Sequence, residues 1–169
     1  MRSFPHPTRQ HNKTDVMPLP IVKILLVDDD PDDGFLMEKA LLDISPEISL
    51  RYLEASDQLL DQLAADAPDL IFMDINMPQC NGLDLLVRLR RSALAHLPVV
   101  MYSSSDRPLS ISQAYERGAH LYFCKPSTFN ELVAALRELL AYDWSDPEAV
   151  RGRQLLGGQY RPYTSPALG

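Results

Sequence analysis

The residues best suited to chemistry stand directly behind four apolar runs. Asp28-Asp29-Asp30 follows Ile24-Leu25-Leu26-Val27, and Asp74 ends Leu70-Ile71-Phe72-Met73. Ser103 follows Val99-Val100-Met101-Tyr102, and Lys125 follows Leu121-Tyr122-Phe123-Cys124. Carboxylates crowded at one place repel each other and call for a cation. Hard oxygen donors of this kind suit Mg²⁺, which keeps some of its water and binds through one or two carboxylates plus phosphate oxygens. A carboxylate is also a competent nucleophile toward phosphorus. In phosphoryl transfer the protein mainly positions the group and offsets its charge. Asp74 then reads as the acceptor, Lys125 as a point charge for a phosphate oxygen, and Ser103 as a hydroxyl donor. Each has a plainer explanation alone: a solvated turn and helix cap for Asp28 to Asp30, a turn hydroxyl for Ser103, a surface charge for Lys125. Their recurrence at four separate strand ends weighs against those explanations.

A short apolar run bounded by turn residues fits a strand buried on both faces. Met77-Pro78 stops the run before Asp74 from continuing, because proline has no N–H for a ladder, and Asn81-Gly82 closes the turn. Pro31, with Asp32 and Asp33 at the positive end, suits the first turn of a helix. Phe35, Leu36, Ala40, Leu41, Leu42 and Ile44 are its expected apolar face, ending near Ser45-Pro46. Residues 48–54 alternate with period two and read as an edge strand. Ser56 is the expected cap of a second helix bearing Leu59, Leu60 and Leu63. A third helix carries Leu83, Leu85, Leu86 and Leu89 and ends in Arg88, Arg90 and Arg91, which complement its dipole. A fourth ends at Gly118 as a left-handed cap. A strand over 119–124 leads to a fifth helix, capped by Ser127 or Thr128, with Phe129, Leu132, Val133, Leu136, Leu139 and Leu140.

Strand and helix thus alternate five times, which implies a parallel sheet with helices on both faces. All carboxyl ends of such a sheet share one rim, where open α/β sheets place their ligand crevice. Pro5, Pro7, Pro18 and Pro20 suggest an extended, disordered arm over residues 1–20. Beyond Trp144 the periodicity is lost, and residues 145–169 read as an irregular tail without order.

The composition removes several function classes. A net charge of −7 argues against a nucleic-acid surface. Hydrophobic residues make up 46% of the chain, enough for a core, yet no apolar run approaches the roughly 18 residues of a membrane span. Arg2, Arg9 and Lys13 flank no apolar stretch, so the start is a poor signal peptide. Two cysteines, Cys80 and Cys124, lack metal-ligand spacing and read as reduced thiols in the cytoplasm, a disulfide between them being the less favoured reading. No glycine-rich loop follows the first strand, and Asp28-Asp29-Asp30 would repel a nucleotide phosphate, which disfavours dinucleotide and P-loop sites.

Val27-Asp28-Asp29-Asp30, Met73-Asp74-Ile75-Asn76-Met77-Pro78 with Gly82, Met101-Tyr102-Ser103-Ser104 and Tyr122-Phe123-Cys124-Lys125-Pro126 together resemble the response-regulator receiver domain of two-component signalling. The resemblance spans about residues 21–144. It implies a flavodoxin-like (βα)5 doubly wound sheet of order 2-1-3-4-5. It makes Asp74 the phosphoacceptor, with Asp28, Asp29 and Lys125 assisting the transfer. Mg²⁺ would be held by Asp29, Asp74 and the backbone carbonyl of Asn76. Asp28 and Asp29 are taken as the acidic pair by counting from the apolar strand. Ser103 and Tyr122 match the switch positions, Tyr122 turning inward on phosphorylation, and the Lys125–Pro126 bond is often cis in the family. The implied partners are a sensor histidine kinase or phosphotransfer protein and a downstream protein, with no nucleic acid and no membrane. A homodimer is compatible, the fifth helix being a candidate surface although most of its stripe reads as core. The short tail leads to the expectation of a stand-alone receiver with no DNA-binding output domain. Two rivals are weighed. A turnover phosphohydrolase resembling the haloacid-dehalogenase group would place an acid two residues after the nucleophile, where Asn76 stands. A degenerate receiver that only binds partners fits poorly with the intact Asp28, Asp29, Asp74, Ser103 and Lys125.

Overall fold

Apolar runs of four and five residues form the centre of the fold in the computed structural model, which describes residues 21–165. The arm expected over 1–20 lies outside the described residues. In chain order the elements are β1 (Lys23–Val27), α1 (Pro31–Ile44), β2 (Ser49–Leu53), α2 (Leu59–Ala65), β3 (Leu70–Met73), α3 (Gly82–Arg90), β4 (Val99–Ser103), α4 (Pro108–Glu116), β5 (Leu121–Cys124), α5 (Phe129–Leu140), α6 (Pro147–Gly152), β6 (Leu155–Leu156) and β7 (Gln159–Tyr160). The five main strands are parallel in the order β2-β1-β3-β4-β5, the flavodoxin-like arrangement. Successive side chains of a strand point to opposite faces. Leu25, Val27, Ile71 and Met73 therefore pack with α2, α3 and α4, while Ile24, Leu26, Leu70 and Phe72 pack with α1 and α5. Burial on both faces removes the alternation that marks a half-wet strand.

Three local expectations change. On α1 the buried residues are Gly34, Met37, Ala40 and Leu41, whereas Phe35, Leu36 and Leu42 are exposed. The helix turns about 100° per residue, so positions 34, 37 and 41 share one face and 35 and 42 another. The inner face at position 34 admits only glycine without a shift, since a Cβ there would stand 2.8 Å from the Tyr52 ring. Ser56 caps α2 only with its backbone carbonyl, and Gln58 occupies the N-cap without a side-chain bond. The fifth strand begins at Leu121, while Gly118 takes the expected left-handed conformation at φ 96°. Thr128 proves to be the α5 cap, in a reciprocal capping box with Glu131.

The larger correction concerns the stretch after Trp144. Residues 145–165 are not a loose tail: they fold back over β5, α4 and α5. Tyr163 donates its N–H to the Tyr122 carbonyl at 2.7 Å and forms a parallel bridge with Phe123. Its hydroxyl donates to Glu138 Oε2 at 2.8 Å, and the residue is buried. Tyr160 stacks on Tyr115 at 4.3 Å, and the Tyr115 hydroxyl donates to the Arg161 carbonyl. Gly157 and Gly158 both take positive φ, which a two-residue hairpin of the primed type requires between β6 and β7. These contacts come from single aromatic side chains and a Gly-Gly turn, so the stretch has order without hydrophobic period.

Candidate functional site

β1, β3, β4 and β5 end at one rim, and their ends position the candidate residues. The Asp74 N–H donates to the Val27 carbonyl at 2.9 Å, and the Lys125 N–H to the Ser103 carbonyl at 2.8 Å. These ladder bonds fix where each side chain leaves the sheet. Gly82 allows the following loop to close: a Cβ there would fall 1.8 Å from the Asp74 carbonyl oxygen.

Asp28, Asp29 and Asp74 each place a carboxylate oxygen within 4.8 Å of the others, a spacing that fits one divalent cation. Asp28 and Asp74 are buried and Asp29 is exposed, so the cluster opens to solvent on the Asp29 side. Asp30 stands apart from them, its carboxylate accepting from Asp32 N at 2.9 Å as the α1 cap. Of the three consecutive aspartates, Asp28 and Asp29 are the two that share this space with Asp74. Asn76 lies exposed on the loop two residues beyond Asp74 and bridges to Asn81.

The Lys125 amine reaches into the same space. It donates to Asp28 Oδ2 at 2.9 Å and Asp33 Oδ2 at 2.6 Å and stands 3.6 Å from Asp74 Oδ1. The Tyr102 ring packs beside it, 5.0 Å from amine to centroid. Burial alone would lower the Lys125 pKa, but its bonds to Asp33 and Asp28 and the Asp74 charge more than offset this and raise it. Burial pushes the Asp74 carboxyl pKa up, helped by Asp28 and opposed by Lys125. The site thus holds a carboxylate that is costly to ionise beside a firmly charged ammonium.

Ser103 is buried at the end of β4, its Oγ accepting from Ser105 N at 3.2 Å. Tyr122 is fully buried and its hydroxyl donates to the Ser105 carbonyl at 2.7 Å. The inward position expected to follow phosphorylation is thus already the one present. No peptide bond among the described residues is cis, so Lys125–Pro126 is trans, unlike the frequent family form. The structure therefore gathers Asp28, Asp29, Asp74 and Lys125, and places Ser103 and Tyr122 along the same β4–β5 side. Sequence reasoning missed Asp33 and Tyr102. The sequence explains Asp33 as a helix-dipole charge, although the first turn of a helix that follows Asp28 so closely must lie near the rim. Tyr102 carried no signal beyond its place before Ser103.

The sequence pattern of the response regulator receiver domain matches residues 24–137. The chain belongs to the response-regulator receiver family. Among curated relatives of this receiver, the DNA-binding transcriptional regulator NtrC of Klebsiella pneumoniae is 31% identical over 117 residues, covering 69% of this chain and 24% of that protein. The transcriptional regulatory protein CpxR of Escherichia coli is 36% identical over 127 residues, covering 75% of this chain and 53% of that protein. The receiver spans only about a quarter to a half of the length of these relatives. Among solved structures, a response regulator in red light signaling of R. palustris is similar at a TM-score of 0.64 and 25% identity, covering 86% of this chain and all of that one. No helix among the described residues is long and apolar enough to cross a membrane.

Proposed function

We propose that this receiver is a phosphorylation-dependent switch that accepts a phosphoryl group on Asp74 from a histidine kinase or a phosphotransfer protein. The observation that carries the reading is the Asp74 carboxylate held between the Asp28–Asp29 pair and the Lys125 amine. An Asp74 carboxylate oxygen forms the new bond to phosphorus. The bond from phosphorus to the donor's imidazole nitrogen or acyl oxygen breaks, and the leaving group takes its electron pair. Asp28, Asp29 and Asp74, with the Asn76 backbone carbonyl that the family resemblance adds, would hold Mg²⁺, whose charge would offset that of the transferred oxygens. Lys125 offsets a further oxygen, and the Ser103 hydroxyl turns from Ser105 N to donate to another.

The new group brings close to two negative charges and biases an existing equilibrium on the β4–β5 side, where a downstream protein or a second copy reads it. The protein assists its own phosphotransfer rather than turning over substrate, a reading supported by Asn76 at the place of a general acid. It acts in the cytoplasm, as the two free cysteines and acidic balance suggest. Its output is contact with a protein rather than with DNA, a reading supported by the net charge of −7. Acetyl phosphate with Mg²⁺ should add one phosphoryl mass to the wild type and none to Asp74→Asn. An equal adduct on both proteins rules out Asp74 as acceptor.

A further inference from the structure

Three carboxylates compete for the Lys125 amine, and Asp74, the acceptor proposed above, holds it least. Asp33 is nearest at 2.6 Å, Asp28 follows at 2.9 Å, and Asp74 lies at 3.6 Å, outside direct hydrogen-bond range. Asp33 does not belong to the cation-sized group of Asp28, Asp29 and Asp74. It stands on the first turn of α1, after Pro31, where a carboxylate usually serves the helix dipole. That service needs no partner on β5, yet its carboxylate reaches across to the residue that follows β5. The Asp33 and Lys125 side chains are only 22% and 17% exposed, so solvent screens this pair less than a surface ion pair.

A phosphoryl group on Asp74 needs the same ammonium. Lys125 donates to Asp28 and Asp33, Asp74 lies beyond hydrogen-bond distance, and the Tyr102 ring packs against the amine. We propose that Asp33 is a positioning residue that holds the Lys125 ammonium back from Asp74, so that phosphoryl transfer requires Lys125 to exchange the Asp33 oxygen for a phosphoryl oxygen. Asp33 thereby slows the gain of the phosphoryl group and shortens its stay. The inference rests on Asp74 being the phosphoacceptor. Asp33 would so set the rate of this receiver from outside the Asp28, Asp29 and Asp74 group.

The test uses the full chain with Asp33→Asn, which keeps shape and removes charge, and Asp33→Glu, which restores charge. Adduct formation from acetyl phosphate is followed by intact mass at saturating Mg²⁺, with initial rates taken across acetyl phosphate concentrations. Asp33→Asn should raise the maximal rate about threefold to tenfold and lengthen the adduct lifetime by a similar factor, with Asp33→Glu near wild type. Half-saturating Mg²⁺ should stay within about twofold, because Asp33 lies outside the cation group. Beryllofluoride, which mimics the bound phosphoryl group, should bind Asp33→Asn more tightly, giving a reading independent of the acetyl phosphate rate. A purely structural role would shift the thermal midpoint and leave rates, lifetime and beryllofluoride affinity alone; that result, or a slower Asp33→Asn, overturns the proposal. If instead the wild type takes up no phosphoryl group on Asp74, the acceptor reading itself fails and this inference fails with it.

Discussion

The two outer strands of the sheet meet the same hazard in opposite ways. An edge strand offers unpaired N–H and C=O groups to any other chain. β2 is short and half-wet: Ser49 is exposed, its other residues are half-buried, and Arg51 pairs with Asp66. Its composition protects it. β5 buries Leu121, Tyr122 and Phe123 completely or nearly so, and carries no charge before Lys125. Its protection is borrowed from residues 145–165, whose Tyr163 takes up the Tyr122 carbonyl. A polar edge can be left bare, whereas an apolar edge needs a cover. The cover here is anchored by a few aromatic side chains, with α6 and the short β6–β7 hairpin in the same stretch, rather than by a sixth strand of the sheet.

Truncating the main anchor is the largest test of this contrast. Tyr163→Ala should cost about 3–5 kcal/mol in urea unfolding, since it empties a buried aromatic site and leaves Glu138 with one partner fewer. Arg51→Ala on the opposite edge should cost less than about 1 kcal/mol, as exposed ion pairs do. Similar losses at both edges would break the comparison.

Acid gives an intermediate test at the other end of the β5 side. His120 is buried, accepts the Val99 N–H at 3.0 Å and lies 3.6 Å from Glu148 of α6. Burial, with Arg90 and Arg151 nearby, pushes its pKa down to about 3 from 6.5. The folded state therefore binds this proton less readily than the unfolded chain. Its contribution to stability is complete above pH 6.5 and is lost as pH falls toward 3. His120→Asn, which keeps an acceptor near the Val99 N–H, should flatten that acid limb in melting curves; an unchanged limb would assign the loss to other groups.

Much of the site was legible because its members follow uninterrupted apolar runs. Val27 before Asp28 and Met73 before Asp74 mark strand ends, and a parallel sheet brings such ends to one rim. Asp33 was less legible, because its position in α1 already had an adequate explanation in the helix dipole. Phe35, Leu36 and Leu42 misled because they are apolar yet lie off the face that Gly34, Met37 and Leu41 define. The fold of the last described residues was hidden for another reason. Periodicity reports repeated burial, and a stretch held by Tyr160, Tyr163 and a Gly-Gly turn repeats nothing. The unbroken apolar run Leu121-Tyr122-Phe123 was the available hint that the β5 edge would not stay open.

On the proposed reading, a phosphoryl group on Asp74 is felt by its neighbours on the rim and along the β4–β5 side. Amide NMR of the full chain, titrated with beryllofluoride and Mg²⁺, reports on both places at once. Shifts are expected at Asp74, at Ser103 to Ser105 and at Lys125, with Ser49–Leu53 of β2 unmoved. A titration that leaves Asp74 and Ser103 in place, or moves β2 as much as the rim, would contradict that reading.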